Sequence, residues 1–380
     1  MKIVNVSLTA PYNEGWGYQE NLLTKWQQRN GNQVTLLTTR YISSKSDDTF
    51  KIVEKEEYIN DNNVKIVRLD WLINIWAFRT LRIYKNFYKK LEYEKPDFIF
   101  IHGCQYLDAI KTYIYLKRHP NVHAVVDNHA DETNSAKTFF PKLLHLTLWR
   151  ITANLLSKRI DNFFGVLPIR CDFINKYYGI NKDRIKYLPM GIDDDLIEEA
   201  KSNISEISKK YNFNKNEINI VCGGKFDHYK KEIINLMKSI NNNNNVHLYV
   251  YGSIGDEIKD EFQTLLTNKI TYLGWLNQTD SYSVLLICDI AIFPGRHSVI
   301  WEQCVGLGIP LVVRKWPGTN HVDIGGNCLF LNYGTTNEID DVINKIQNSD
   351  ILNKMKESAH SKNKDMFSYK NIAYKSINAS

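Results

Sequence analysis

Short apolar runs alternate along this chain with longer segments whose apolar residues recur at helical spacing, the pattern of β-α repeats around parallel sheets. It starts at the N-terminus. Lys2 to Leu8 reads as a strand and Pro11 to Gly17 as a loop, and Tyr18, Leu22 and Trp26 recur every four residues on a helix face that ends at Gly31. Val34 to Thr39, Lys65 to Leu69, Phe98 to His102, His123 to Asp127 and Asn162 to Val166 read as further strands with helices between. The same grammar then restarts with Ile218 to Cys222, Val246 to Tyr251, Ile270 to Leu273, Ile290 to Phe293, Pro310 to Val313 and Cys328 to Leu331. The pattern predicts an α/β protein of two Rossmann-like domains, 1–190 and 191–364. The Pro and Gly of Leu188-Pro189-Met190-Gly191-Ile192-Asp193 suit a hinge between them. Phe367 to Ile377 is aromatic and apolar at helical spacing, so residues 365–380 are expected to form a helix that packs back onto the first domain.

Composition narrows the class. With 43% hydrophobic and 24% charged residues, the chain is ordinary globular protein, and disorder and collagen-like structure are excluded. Its 48 Lys and Arg against 42 Asp and Glu leave a charge of +6. That is too little over this length for an obligate nucleic-acid binder, and no nucleic-acid partner is expected. Cys104, Cys171, Cys222, Cys288, Cys304 and Cys328 form no C-x-x-C pair and several fall in apolar runs, so they are read as reduced, buried and cytosolic. The first apolar stretch is too short for a signal peptide, and no window approaches about 18 uninterrupted apolar residues. A cytoplasmic protein with no membrane span is expected.

Ligands in open α/β sheets bind beyond the carboxyl ends of the strands, and four loops there carry chemistry. In Glu14-Gly15-Trp16-Gly17, the glycines Gly15 and Gly17 either form a plain tight turn or let backbone N–H groups approach an anion at a helix start. In Gly223-Gly224-Lys225-Phe226-Asp227-His228-Tyr229-Lys230-Lys231, Lys225 and Lys230 stand five apart. Both are expected to neutralise one diphosphate as charge builds on it. In the loop from Phe293 to Glu302, Ser298 is expected to cap the following helix and Glu302 to accept hydrogen bonds from a ribose diol, beside Arg296 and His297. In Val126 to Asn134, His129 is placed to bind sugar hydroxyls or orient a reacting centre. No metal set of fixed spacing forms around His119, His123 and His129.

In this order the loops resemble the retaining glycosyltransferases of family 4, which have the GT-B fold. The resemblance runs from Gly15 and Gly17, through a hinge similar to the family's P-x-G-I-D, to Gly308-Ile309-Pro310-Leu311-Val312-Val313. Tyr272-Leu273-Gly274-Trp275-Leu276 and Cys288-Asp289-Ile290-Ala291-Ile292-Phe293-Pro294 also look like the family's approach to its donor site. The resemblance implies a nucleotide-sugar donor, expected to be a UDP-sugar, on the second domain and a glycan acceptor on the first. By position, Lys225 and Lys230 match the family's cations on the donor diphosphate and Glu302 the second Glu of its E-x7-E motif. His129 matches the first-domain His beside the transferred sugar, and Gly15 and Gly17 match its glycine loop. Catalysis with retention, without a metal or other cofactor, is what the family implies. One departure is plain: Pro294 stands where the first Glu of E-x7-E belongs, and Arg296, His297 or Ser298 is left to occupy that space. Asp193-Asp194-Asp195 contains a D-x-D, read as coincidence in the hinge.

The positive charge is uneven. Trp71 to Lys90 holds five Lys or Arg among aromatics and no acid, and Lys137 to Ile160 again holds five with Phe139, Phe140 and Trp149 and no acid. Such segments are either core aromatics with solvated cations or a surface for an anionic membrane. The second reading fits a lipid-linked acceptor in capsule, O-antigen or other bacterial surface-glycan assembly, at the inner face of the cytoplasmic membrane. Two further classes stay open. A GT-B sugar-nucleotide epimerase needs cleft carboxylates, for which Asp131 and Glu132 are the candidates. A silent nucleotide-sugar-binding scaffold is the other, motivated by the absent Glu.

Overall fold

The computed structural model describes residues 1–43, 50–72 and 80–378. By internal contacts the chain divides into two compact units, Met1–Pro189 with Tyr369–Ser380, and Met190–Ser368.

The first unit contains, in chain order, β1 (Lys2–Ser7), β2 (Gln33–Thr39), β3 (Tyr41–Ser43), β4 (Phe50–Ile52), β5 (Glu57–Ile59), β6 (Lys65–Leu69), β7 (Phe98–His102), β8 (His123–Asn128), β9 (Asn162–Gly165) and β10 (Ile185–Tyr187). Eight of them form one sheet in the order β10-β9-β8-β7-β1-β2-β6-β5, while β3 and β4 pair antiparallel apart from it. All neighbours in the large sheet are parallel except the edge pair β5 and β6. Every residue of β7 is buried, as a central parallel strand covered on both faces requires.

Helices α1 (Gln19–Arg29), α2 (Phe87–Glu94), α3 (Ala109–Arg118), α4 (Phe139–Leu146), α5 (Leu148–Leu156) and α6 (Pro168–Phe173) flank this sheet. Val4, Val6, Ile99, Ile101 and Val126 share one core layer with Phe87, Leu116 and Trp149. Ile3, Leu36, Phe100 and Val125 share the other with Leu22, Leu23 and Trp26 of α1.

The second unit carries β11 (Ile218–Phe226), β12 (Val246–Ile254), β13 (Ile270–Tyr272), β14 (Ile290–Phe293), β15 (Leu311–Arg314) and β16 (Cys328–Leu331). They make an all-parallel sheet in the order β13-β12-β11-β14-β15-β16. Its helices are α7 (Asp195–Lys210), α8 (Ile233–Asn242), α9 (Asp256–Thr264), α10 (Gln278–Ile287), α11 (Ile300–Leu307), α12 (Thr336–Ile346) and α13 (Ser349–Ala359). Helix α12 shows the local logic. Thr335 and Glu338 close a capping box at its start, and Ile339, Val342, Ile343 and Ile346 bury one stripe. Each such side chain contributes about 1.5–3 kcal/mol by burial, and an Asp at position 343 would abolish that contact.

The last helix, α14 (Tyr369–Asn378), returns to the first unit. It buries Tyr369, Ile372 and Ala373 in the layer that holds α1, and Gln27 Nε2 donates to Ser376 Oγ at 3.1 Å. Gly191 sits where a β-carbon would collide with the Phe367 carbonyl, and the Ile192 N–H donates to that carbonyl at 2.8 Å.

None of the six cysteines is bridged; five are buried and Cys171 is half-buried. Among the described residues no helix is long and apolar enough to cross a membrane.

Three expectations change. Strand β11 does not end at Cys222 but runs through Gly223, Gly224 and Lys225 to Phe226, paired with β12 along its length. The Tyr251 ring packs where a side chain at 223 would stand, so that glycine serves the sheet. Ser298 is not the cap of α11: the helix starts at Ile300, Val299 precedes it in helical conformation, and no side chain caps it. Of the aromatics read as a cationic surface, Trp71 stacks on Tyr41 with ring centres 3.7 Å apart, and Phe87 and Trp149 are core. Trp76 and Phe78 lie outside the described residues.

Candidate functional site

In the first unit, strand register assembles the site. Strands β7 and β8 pair so that His102 lies beside Asp127, and His129 follows two residues on. Asp127 is fully buried. Its Oδ2 faces His102 Nδ1 at 3.1 Å and His129 Nε2 at 3.3 Å, and its Oδ1 accepts the Gly103 N–H at 3.0 Å. On the far side of His102, Nε2 meets Asn5 Oδ1 at 3.3 Å, while the Asn5 amide nitrogen donates to Gln27 at 2.7 Å. His102 is therefore held at both ring nitrogens, by Asp127 and by Asn5. Burial pushes the Asp127 carboxyl up, but the charge and hydrogen bonds of His129 and His102 outweigh it and hold the group well below the usual carboxylate range. The outermost member, His129, is 41% exposed and lines a cavity of about 340 Å³ with Gln105, Asn134, Ser135, His145 and Trp149.

The two epimerase candidates are engaged elsewhere. Asp131 pairs with Arg170 at 3.0 Å and accepts the Thr133 N–H at 2.7 Å. Glu132 accepts from Lys176 at 2.7 Å and Tyr177 at 2.8 Å. Gly15 takes φ 70° in an exposed turn ahead of α1, and Gly17 lies two residues before that helix.

In the second unit the turn after β11 carries Lys230. Asp227 organises it, its side chain accepting the Tyr229 N–H at 2.9 Å and its carbonyl the Lys230 N–H at 2.8 Å. Gly224 has φ 144° and no side chain, and a β-carbon there would stand 3.5 Å from Lys230 Nζ. Burial holds the Lys230 ammonium pKa below its ordinary value, and among the described residues no carboxylate pairs with it.

A small pocket joins Lys230 with Cys222, Gly223, Phe293, Gly295 and Arg296. The Arg296 guanidinium lies 4.3 Å from the Tyr229 ring centre, whereas neighbouring Arg314 is neutralised by Glu232 at 2.6 Å. Lys225 is exposed at the penultimate position of β11 and does not line this pocket. The structure thus brings Lys230 and Arg296 together and leaves Lys225 at the rim.

Glu302 departs from the role expected of it. It is fully buried, and one oxygen, Oε1, receives Nε2 of both His297 and His321 at 2.8 Å. Burial raises its pKa, and the charge and hydrogen bonds of the two imidazoles more than reverse that shift. The carboxylate offers nothing to a ribose directly. His297, 15% exposed, is the accessible member of this group.

Among the described residues, His102/Asp127/His129 and His297/Glu302/His321 are the sets spaced to hold a metal ion. Each has the form of two imidazoles sharing one carboxylate oxygen. His102, Asp127 and His321 were not singled out from the sequence; His102 and Asp127 stand at ends of predicted strands, while nothing local marks His321.

Residues 21–196 match the family described as Glycosyltransferase Family 4, and residues 203–314 match Glycosyl transferases group 1. The first match lies almost wholly in the first unit and the second lies within the second unit. The chain belongs to the family 4 glycosyltransferases. A glycosyltransferase from Rickettsia africae has the same GT-B fold at TM-score 0.71, with 14% identity and 98% and 96% of the two chains covered. Anabaena HepE in complex with UDP-glucose matches at TM-score 0.67, with 15% identity over 99% and 98%. A UDP-GlcNAc 2-epimerase from Neisseria meningitidis also shares the fold, at TM-score 0.61 and 12% identity over 98% of each chain. The fold is therefore common to both activities, and the family matches make this chain a glycosyltransferase.

An uncharacterized 41.2 kDa protein in the cps region of Klebsiella pneumoniae is 24% identical over 191 residues, 46% of this chain. That match spans 51% of the Klebsiella protein, about half its length.

Proposed function

We propose that this glycosyltransferase transfers a sugar with retention from a UDP-sugar held by its second unit to a lipid-linked glycan held by its first, in bacterial surface-polysaccharide synthesis at the inner face of the cytoplasmic membrane. Lys230 carries the reading. A desolvated ammonium with no carboxylate partner among the described residues, set against a glycine and beside Arg296, is a site made for an anion. A nucleoside diphosphate is the anion that such a transferase must hold. The UDP-glucose complex of the similar Anabaena protein and the cps-region position of the Klebsiella relative support the choices of donor and pathway class.

In the reaction the anomeric C1–O bond to the diphosphate breaks and the acceptor oxygen bonds C1 on the same face. The acceptor hydroxyl proton passes to the departing diphosphate oxygen. Lys230 and Arg296, with Lys225 at the rim, offset the charge that develops on the leaving group, so no divalent cation is required. His129, held by Asp127, stands beside the transferred sugar. Glu302 acts on the nucleotide through His297, the member of its group with access to a ligand. Gly15 and Gly17 give the donor close backbone approach. The exposed face of α4, with Phe139 and Phe140, meets an anionic membrane.

Thermal unfolding with UDP, GDP or ADP, with and without EDTA, tests this. UDP at 100 times its Kd adds about 2.7 kcal/mol, a rise in Tm of roughly 5–10 °C for units of this size. The rise is expected to survive EDTA and to vanish in Lys230→Ala. No shift with any nucleotide overturns the donor site, and an inverted anomeric centre in the product overturns retention.

A further inference from the structure

The cavity of the first unit contains a cation that the reaction above does not use. Arg82 lines it, held in left-handed backbone conformation at φ 54°, a region that non-glycine residues enter only when their surroundings impose it. Among the described residues, its Nη1 donates to the Gln105 carbonyl at 2.6 Å and no carboxylate pairs with it. The acids of the surrounding elements are committed elsewhere: Asp108 to Lys111 at 2.8 Å, Asp131 to Arg170 at 3.0 Å and Glu132 to Lys176 at 2.7 Å. Asp127 is held by His102 and His129.

Burial holds the Arg82 guanidinium below its ordinary pKa. Burial, with the charge of Arg82 adding to it, pushes His145 down to about 4, so that ring is neutral at physiological pH. Arg82 is thus a charge with no counter-ion among the described residues, on a wall of the cavity. Thr9, Thr80 and Asn134 add polar groups to the lining, and Pro141, Leu144 and Trp149 add apolar ones. An enclosed charge without a partner is costly, and a guanidinium fork matches the two oxygens of a phosphate or carboxylate.

We propose that Arg82 is the anchor of an oxyanion subsite that binds a phosphate, diphosphate or carboxylate group of the acceptor. The inference rests on the reading that the first unit holds the acceptor, and it narrows the acceptor to one carrying an anionic group near the sugar that is extended. Pro141 and Leu144 lie on α4, whose outer surface presents Phe139 and Phe140. A diphosphate joining a glycan to a hydrocarbon chain fits that neighbourhood, and a uronic-acid carboxylate fits the same guanidinium.

Calorimetric titration of the full chain with geranyl diphosphate, and separately with sodium glucuronate, decides the matter. Both titrations are made in saturating UDP, so that the donor site is filled. Binding by either probe is expected, with affinity lowered about tenfold or more in Arg82→Gln while UDP binding stays unchanged. Geranyl diphosphate alone binding assigns the subsite to a lipid diphosphate, and glucuronate alone to an acidic sugar. No binding by either probe, or binding that ignores Arg82→Gln, overturns the proposal and leaves the donor site standing. Failure of UDP itself to bind overturns the donor reading instead. Should Arg82→Gln not unfold cooperatively, the wild-type protein is treated with phenylglyoxal and mapped by mass spectrometry. Protection of Arg82 by the bound probe is expected, and lack of protection overturns the assignment.

Discussion

His321 and Glu302 meet through a 2.8 Å contact between Nε2 and Oε1, with side-chain exposures of 2% and 0%. They stand nineteen positions apart in the chain, and His297 joins the same oxygen. The pair is a buried charge site whose stability depends on the carboxylate staying ionised. Because the Glu302 pKa is held below its ordinary 4.5, its contribution is complete above that value and lost as pH falls below it. Chemical denaturation is expected to show stability declining steeply on the acid side of pH 4.5, and less steeply in Glu302→Gln. At pH 7 the variant is expected to lose about 3 kcal/mol, since it removes one partner of a buried group. An unchanged urea midpoint sinks this account.

In the proposed reaction Asp127 reaches substrate only through His129, which its Oδ2 meets at 3.3 Å, so the two residues are expected to act as one unit. His129→Ala is expected to lower kcat about 100-fold, with a much smaller change in the KM for donor. Asp127→Asn is expected to lower kcat in the same sense, and the double variant to be no worse than His129→Ala alone. Additive losses, measured in a steady-state transfer assay, would mean that Asp127 supports the fold and not the ring.

These contacts mark where reading the chain reaches its limit. The apolar runs locate the strands that are long and buried, such as Phe98–His102 and Ile290–Phe293, because burial on both faces leaves an unbroken hydrophobic signal. They miss β5 and β10, three-residue edge strands with no buried position and so no pattern to read. Glycines at 223 and 224 look like a loop from sequence. In the sheet, Gly224 stands in register with Gly252, and the two strands pass closer than side chains allow. His129 and Lys230 are legible because each follows a strand end. The partnership of His102 with Asp127 depends on register, and that of Glu302 with His321 on tertiary packing, which no local spacing encodes. Ser298 has the right chemistry for a cap, but capping is decided by backbone angles at 299 and 300.

If Lys230 holds the donor diphosphate as proposed, it links pH to donor binding. Deprotonation removes the charge that the diphosphate needs, and burial brings that step below the ordinary lysine value of 10.5. The UDP affinity is expected to fall as pH rises through this lowered pKa. Lys230→Arg, whose guanidinium stays charged throughout, is expected to flatten the curve, and Lys230→Ala to reduce affinity at every pH. Calorimetry of UDP across the alkaline range provides the check, and a wild-type curve as flat as that of Lys230→Arg removes Lys230 from the diphosphate.

Helix α4 presents Phe139 and Phe140 at 73% and 76% exposure, with Leu143 at 44% and, on α5, Ile151 at 65%. Lys137, Lys142 and Arg150 accompany them, and residues 133–160 contain no acid. The inward residues of the same helices, His145 and Trp149, line the first-unit cavity, so under the proposed function a membrane at the outer face would bring a lipid-linked substrate close to it. Inserting one phenylalanine contributes about 1.5–3 kcal/mol, and each cation near an anionic leaflet about 1 kcal/mol. Cosedimentation with phosphatidylglycerol vesicles is therefore expected, weakening with salt and absent with phosphatidylcholine. Phe139→Ser with Phe140→Ser should cut partitioning more than about tenfold while leaving Tm unchanged, since neither ring is packed in the core. Lys137→Glu with Lys142→Glu should remove the preference for anionic lipid. Equal recovery of wild type and both variants in the pellet would show that this face has another purpose.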